Sequence, residues 1–233
     1  MQNLYQICCL SEDLPTECFG KSFDLPIDIL KIAGYLNISI EEIDMEKVSN
    51  ENTFRINYKL MQLSKLENIF AKENETFLYI EKSIPISSKR YVVAYGIAQY
   101  ILHKDEKNIF KTYFVLPLCS TKKEDFDAEV LALFLLLPVK KTLLELHDYI
   151  AERKKNGDIP ISTEEWIKYI SERGGVSEYY AVQGYQNIRN IACFLYQAIH
   201  ENIKTLSKEK QKLFQWMTQE QFQILENFVF QME

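Results

Sequence analysis

Residues 89–103 read Lys-Arg-Tyr-Val-Val-Ala-Tyr-Gly-Ile-Ala-Gln-Tyr-Ile-Leu-His and carry the clearest structural signal in the chain. The apolar residues that follow a helical period are Val92, Val93, Ile97, Tyr100 and Ile101. This period predicts a buried helix. Tyr95, Gln99 and His103 are spaced four residues apart, which places them on one face of that helix. Gly96 in a helix interior costs about 1 kcal/mol relative to alanine, so a specific reason for its presence is expected.

This helix face has the spacing of a zinc-protease helix but not its chemistry. Such a helix needs histidines at positions i and i+4, and a glutamate directly after the first histidine as general base. The three places hold Tyr95, Gln99 and Gly96. Tyrosine loses its proton only near pH ~10, a neutral amide is a poor zinc ligand, and glycine has no side chain. The alternative interpretation is an ordinary core helix with a polar seam.

The composition indicates a globular chain without an electrostatic preference for nucleic acid. Its 233 residues are 47% hydrophobic, enough to fill a core, and its formal charge of −6 offers no general attraction to DNA or acidic membranes. Five cysteines, an odd number without C-x-x-C spacing, indicate reduced thiols. The first residues lack the pattern of a signal peptide, and the longest apolar run is about ten residues. We therefore expect a soluble cytoplasmic protein without a membrane segment.

The first third of the chain is predicted to pass from an irregular arm to a helix. Residues 1–22 contain a proline, a glycine and scattered acids, which favour an irregular arm packed on the body. A helix is predicted to begin at Leu25-Pro26-Ile27-Asp28, with Pro26 in its first turn, and to end at Asn37.

Alternation of apolar and polar residues predicts a small, mostly antiparallel sheet. Residues 53–58 and 76–81 alternate and are rich in β-branched and aromatic residues, and 38–40 read as a shorter strand. Residues 60–70 fit either a third strand with its turn or a short helix. Ser87 or Ser88 is expected to cap the helix at 89–103.

Helices are predicted for the rest of the chain. The first runs from Glu124 to Leu137, and the second occupies residues 140–155. Ser162 and the acids after it predict a helix cap, and a further helix is expected from the turn at 174–177 through about Ile203. Aromatic residues between 214 and 230 predict a terminal helix that is either core or a self-association surface. We place a domain boundary near 138, between residues 1–138 and an all-helical portion at 139–233.

Two segments and their order resemble those of a known family. The first is Arg90-Tyr91-Val92-Val93-Ala94-Tyr95-Gly96-Ile97-Ala98-Gln99-Tyr100-Ile101-Leu102-His103. About two dozen residues later comes Asp127-Ala128-Glu129-Val130-Leu131-Ala132-Leu133-Phe134-Leu135-Leu136-Leu137-Pro138. Together with the preceding Leu-Pro-Ile-Asp helix and small sheet, they resemble the ImmA/IrrE family of zinc metallopeptidases. That family usually has R-F-x-x-A-H-E-L-G-H-Y-L-L-H and E-A-N-x-F-A-A-x-L-L-M-P. The resemblance covers roughly residues 24–200.

The resemblance implies an α+β fold: zincin-like helices packed on a small, mostly antiparallel sheet, followed by an all-helical C-terminal portion. It places the first histidine ligand at Tyr95, the general base at Gly96 and the second histidine ligand at Gln99. The third ligand, a glutamate, falls on Asp127, which keeps a carboxylate. His103 retains the trailing histidine of the family's helix. Because a catalytic zinc needs three protein ligands and a water, we expect no metal and no other cofactor.

His103 and Arg90 are the residues that we expect to line what remains of the pocket. Replacing Tyr95, Gly96 and Gln99 together with His, Glu and His is predicted to restore partial zinc binding, since these positions would still be directed at Asp127.

Active members of the resembled family cut a helix-turn-helix repressor of phages and mobile elements. The resemblance therefore implies a catalytically inactive pseudo-peptidase that captures a regulatory protein partner without cleaving it. One alternative is an active metallopeptidase with a non-standard metal site. Another is a DNA-binding regulator acting through residues 163–199, although the second helix there carries only Arg189 as a base. Homo-oligomerisation through the aromatic terminal helix is a further expectation.

Overall fold

The chain is predominantly helical in a computed structural model that describes residues 4–20, 23–43, 58–62, 76–103, 112–113, 123–157 and 161–199. The helices of these segments are α1 (Leu4–Phe19), α2 (Ile29–Tyr35), α3 (Ile86–His103), α4 (Lys123–Leu136), α5 (Val139–Asn156), α6 (Thr163–Gly174) and α7 (Glu178–Ile199). The strands are β1 (Ile38–Ile43), β2 (Tyr58–Gln62), β3 (Thr76–Glu81) and β4 (Thr112–Tyr113). The predicted terminal helix at 214–230 lies outside the described residues.

The prediction of an irregular arm at 1–22 is wrong, because residues 4–19 form α1. Pro15 lies inside this helix and leaves one carbonyl without its helical partner. The helix forms nevertheless because one of its faces, including Ile7 and Cys8, is buried in the core. Ser11 Oγ also donates a hydrogen bond of 2.8 Å to the Cys8 carbonyl oxygen. Burial of this face outweighs the local preference of proline and the acidic residues for a loop.

Helix α2 begins later than predicted, at Ile29 rather than within 25–28. Asp28 is its N-cap, and the carboxylate accepts hydrogen bonds of 3.1 Å from the backbone N–H groups of Leu30 and Lys31. Pro26 therefore precedes the helix instead of occupying its first turn. The predicted end is confirmed, since Asn37 adopts a left-handed φ of 57° directly after the last turn.

The four strands form one sheet in the order β1-β3-β2-β4. β1 runs parallel to β3, whereas β2 is antiparallel to both β3 and β4. The strand predicted at 76–81 is confirmed, and the strand predicted at 38–40 is longer than expected and ends at Ile43. Of the ambiguous segment 60–70, the described residues belong to β2. Residues 53–57 lie outside the described part of the chain.

Helix α4 is the centre of the core. Its neighbours α1, α3 and α7 all pack against it, and its residues from Ala128 onward are buried on every side. Helix α3 packs in turn on β2 and β3, so it lies between the sheet and α4. The predicted helices at 89–103 and 124–137 are thereby confirmed, with α3 beginning three residues earlier, at Ile86.

Of the last three described helices, α7 packs on α4, and α5 and α6 pack on α7. Ser162 caps α6 through a capping box with Glu165, as predicted, and Gly175 ends α6 in the left-handed conformation. Leu137 packs closely against two glycines. A Cβ added at Gly174 would lie 2.5 Å from one of its methyl carbons, and a Cβ added at Gly184 would lie 2.6 Å from the other.

The hydrophobic core is continuous across residue 138, with buried residues from both sides in one cluster. The division into domains 1–138 and 139–233 stays a prediction from sequence. Within the described segments, no helix combines the length and apolar character needed to cross a membrane.

Candidate functional site

Tyr95, Gln99 and Asp127 are all buried, at exposed fractions of 6%, 2% and 9%. Tyr95 and Gln99 lie one turn apart on α3, and Asp127 lies on α4, the helix packed against it. The structure therefore places the two segments singled out by the sequence side by side. The Gln99 amide Nε2 donates a hydrogen bond of 3.0 Å to the Tyr95 hydroxyl oxygen. Two positions that would carry zinc-binding imidazoles in the resembled family thus bind each other.

Gly96 is explained by the contact between α3 and the sheet. A Cβ built at this position would lie 2.6 and 2.8 Å from the two methyl carbons of Leu78. Leu78 is fully buried on β3, so it cannot move into solvent to make room. The absence of a side chain at residue 96 allows the helix to approach β3 closely. A glutamate, the general base expected here in an active family member, has no space in this packing.

An aromatic cluster not foreseen from the sequence adjoins Tyr95. The ring of Tyr91 stacks on that of Tyr180 from α7, with centroids 3.8 Å apart and an interplanar angle of 16°. The Tyr91 and Tyr95 rings lie 6.2 Å apart along α3. Burial is the main cause that raises the pKa of Tyr91, and the charge of Glu129 on α4 raises it further. Burial also raises the pKa of Tyr180 to about 12. These phenols are neutral at physiological pH and serve as packing groups.

Glu129 is the second buried acid of α4, only 6% exposed and two residues after Asp127. Both carboxylates make polar or electrostatic contacts within the protein. The sequence contained a signal for Glu129, since an acid inside an apolar helix requires a compensating environment. It contained none for the stacking of Tyr91 on Tyr180, because these residues are distant in the chain.

Arg90, which the sequence analysis expected to line a pocket with His103, is half-buried and hydrogen-bonds to two backbone carbonyl groups. Its Nη2 donates hydrogen bonds to the Ile27 carbonyl oxygen at 2.6 Å and to the Gly174 carbonyl oxygen at 3.4 Å. Arg90 thereby ties the start of α3 to the segment before α2 and to the end of α6. His103 is the last residue of α3, two turns beyond Tyr95.

The residues present do not fit a zinc ion of the kind that the resemblance implies. Tyr95 and Gln99 are joined to each other, and residue 96 is packed against β3. Within the described segments, no three His, Cys, Asp or Glu side chains are grouped so that they could hold a metal. Neither a family model nor a curated protein sequence matches this chain.

Tyr95→Phe is expected to destabilise the protein by about 1–2 kcal/mol, because it leaves the buried Gln99 amide without the hydroxyl acceptor. Gln99→Met removes the donor instead. The double variant is expected to lose about 1 kcal/mol less than the sum of the single variants, measured by chemical denaturation. Tyr35→Phe is the control, since Tyr35 is half exposed and should change stability by less than about 0.5 kcal/mol. If the double variant lost as much stability as the two single variants together, the result would contradict the hydrogen bond between Gln99 and Tyr95.

Proposed function

We propose that this protein is a catalytically inactive relative of the ImmA/IrrE peptidases that binds a protein partner without cutting it. The observation that carries the proposal is the buried hydrogen bond between Gln99 and Tyr95. An active site at these positions would direct two imidazoles from one face of α3 toward a shared metal. Here the two side chains stabilise the fold instead of presenting ligands.

The packing of Gly96 supports the same proposal. Hydrolysis by a zinc peptidase needs a carboxylate that takes a proton from the metal-bound water. Residue 96 is the position for this carboxylate in the resembled family, and Leu78 occupies the space that its side chain would need. Loss of the general base is therefore built into the contact between α3 and β3, and it is not confined to a single side chain.

Binding of an extended partner segment does not need a metal. β1 is an edge of the sheet, since the described strands pair with it only on the β3 side. An edge strand offers main-chain donors and acceptors to which a further strand can be added. Ser39 and Glu41 of β1 are exposed and leave this edge accessible from one face of the sheet.

Two exposed aromatic residues favour a protein partner. Phe126 and Tyr179 are 52% and 45% exposed, and each directly precedes a buried residue of the candidate site, Asp127 or Tyr180. Aromatic side chains are enriched in protein interfaces. A regulator of the repressor type, from a phage or mobile element, is the partner class that the family resemblance suggests.

The structure favours a protein partner over DNA as the ligand. Helices α6 and α7 are joined by a short turn, as in a helix-turn-helix motif, but much of α7 is used for packing. Its residues Ala181, Tyr185, Ile188 and Ile191 are buried in the core. Arg189 is the only lysine or arginine in the sequence of α7, whereas helices that read DNA usually carry several basic residues.

Affinity capture from the cell that makes this protein tests the proposal, followed by a binding measurement with the purified partner. We expect a stoichiometric partner, recovered at full length, with a dissociation constant unchanged by EDTA. Asp127→Ala should leave the partner intact in the same way.

The alternatives predict different results in the same experiments. Partner fragments whose formation stops with EDTA or with Asp127→Ala would identify an active metallopeptidase. Retardation of duplex DNA, weakening with salt in proportion to the phosphates contacted, would identify a DNA-binding regulator.

A further inference from the structure

Helix α5 ends at an asparagine that is followed by a glycine. Asn156 is the last residue of the helix, and Gly157 is its C-cap, with a left-handed φ of 77°. Both residues are exposed, and beyond its own neighbours no atom of the described part of the chain lies within 4 Å of a Cβ built at Gly157. Asn156 is the only asparagine in the sequence that precedes a glycine. The end of α5 therefore places an exposed side-chain amide next to a backbone nitrogen that no side chain crowds.

We propose that Asn156 is a site of spontaneous deamidation, and that the C-cap of α5 controls its rate. Asparagine is one of the thermally labile residues of proteins. In the reaction, the Gly157 backbone nitrogen forms a bond to the Cγ atom of Asn156 and loses its proton, and the side-chain amide leaves with that proton as ammonia. Water then opens the resulting cyclic imide at either of its two carbonyl carbons, which gives aspartate or isoaspartate. Water is the only co-reactant, and the site is independent of the function proposed above.

Gly157 makes this asparagine more reactive than others in the chain. A side chain on the residue after an asparagine crowds the attacking nitrogen, and glycine has none. Asn190 offers the comparison within the same protein, because it is exposed and helical like Asn156 but is followed by Ile191. The branched side chain of Ile191 is buried in the core, so the backbone there is held in the interior of α7. We therefore expect Asn156 to react and Asn190 to remain unmodified.

The C-cap restrains the reaction while α5 is intact. The Gly157 N–H donates hydrogen bonds to the carbonyl oxygens of Arg153 and Lys154, the second at an N···O distance of 3.1 Å. While these bonds persist, the N–H is directed at the last turn of α5 and the nitrogen is not free to attack the Asn156 side chain. Helix ends fray, and only this exposed turn has to open. Deamidation should therefore proceed in the folded protein, but more slowly than in the unfolded chain.

The reaction would change the contact between α5 and α6. Arg153, whose carbonyl oxygen accepts from Gly157, also donates through Nη2 to Glu165 Oε1 at 2.8 Å. Glu165 closes the capping box of α6 with Ser162. Deamidation adds a carboxylate at the negative end of the α5 dipole, and isoaspartate also lengthens the backbone by a methylene group, which disrupts the cap. We expect the last turn of α5 to loosen and the link from Arg153 to α6 to weaken.

Peptide mapping by mass spectrometry tests the site in the full-length protein, which is incubated at neutral pH either in buffer or unfolded in guanidinium chloride. We expect aspartate and isoaspartate at residue 156 under both conditions, with Asn190 unmodified over the same period. The rate in buffer should be lower than the rate in guanidinium chloride by about tenfold or more, because two backbone hydrogen bonds must open before the Gly157 nitrogen can react.

Asn156→Gln is the matched control, because glutamine keeps the amide but places it a methylene group farther from the Gly157 nitrogen. It should show no modification at residue 156. Amide hydrogen exchange in the last turn of α5 and the first turn of α6 should be faster in the incubated wild-type protein than in fresh protein, and unchanged by incubation of Asn156→Gln. The proposal is refuted if Asn156 stays intact in buffer, if Asn190 reacts as fast as Asn156, if folding does not slow the reaction, or if complete conversion leaves the exchange rates unchanged.

Discussion

Gly96→Glu is expected to lower the free energy of unfolding by more than about 3 kcal/mol, because it adds both overpacking and a buried charge. The first added carbon would already lie 2.6 Å from a methyl carbon of Leu78. The neighbours Tyr95 and Ile97 are buried as well, which leaves the carboxylate no route to water along the helix. The substitution that would supply a peptidase with its general base is thus predicted to damage this fold.

A pair of alanine variants separates packing from helix propensity. Alanine is favoured over glycine in helices by about 1 kcal/mol, so Gly34→Ala in α2, where nothing lies within 4 Å of the new Cβ, should stabilise the protein. Gly96→Ala gains the same propensity but meets Leu78, and a net loss of about 1–2 kcal/mol is expected.

Chemical denaturation of Gly96→Ala, Leu78→Val and their combination checks the cause of that loss. Valine lacks the two methyl carbons that the new Cβ would meet, so the double variant should lose less than the sum of its parts. If Gly34→Ala and Gly96→Ala shifted stability equally and in the same direction, the close approach of α3 to β3 would be disproved.

The variant Tyr95→His/Gln99→His is expected to gain zinc-dependent stability. Two imidazoles at i and i+4 would lie on one face of α3, with the Asp127 carboxylate on the adjacent helix as the third ligand. At a free zinc concentration one hundred times the dissociation constant of the variant, binding should stabilise its folded state by about 2.7 kcal/mol. Gly96 is left unchanged, because the earlier triple replacement would place a glutamate against Leu78. Thermal unfolding with zinc and with EDTA measures the difference.

Local sequence patterns predicted the elements on which the candidate site is built. The helical period around Tyr95, the apolar run after Asp127 and the capping box at Ser162 are properties of neighbouring residues, and all three are present in the structure. The same local reasoning failed for α1, where Pro15 and the acids suggested a loop. Burial against α4 decides that segment, and burial depends on residues more than a hundred positions away.

The contacts that pack and hold the residues of the site join parts of the chain that are distant in sequence. Gly96 is required by Leu78 on β3, and Tyr91 is covered by Tyr180 on α7. The bond from Lys140 to Glu12 spans 128 positions. No spacing rule within one element indicates such pairs, so the sequence singled out Tyr95, Gly96 and Gln99 but not the distant residues that pack around them.

Metal content of three purified proteins tests most directly whether Tyr95, Gln99 and Asp127 occupy the positions of a metal site whose ligands have been replaced. After equilibration with zinc and removal of the excess, we predict less than about 0.1 zinc per chain in the wild-type protein and about one in Tyr95→His/Gln99→His. Adding Asp127→Asn to that variant should return the content to the wild-type level. Stoichiometric zinc in the wild-type protein, or zinc in the variant that does not depend on Asp127, would contradict this assignment.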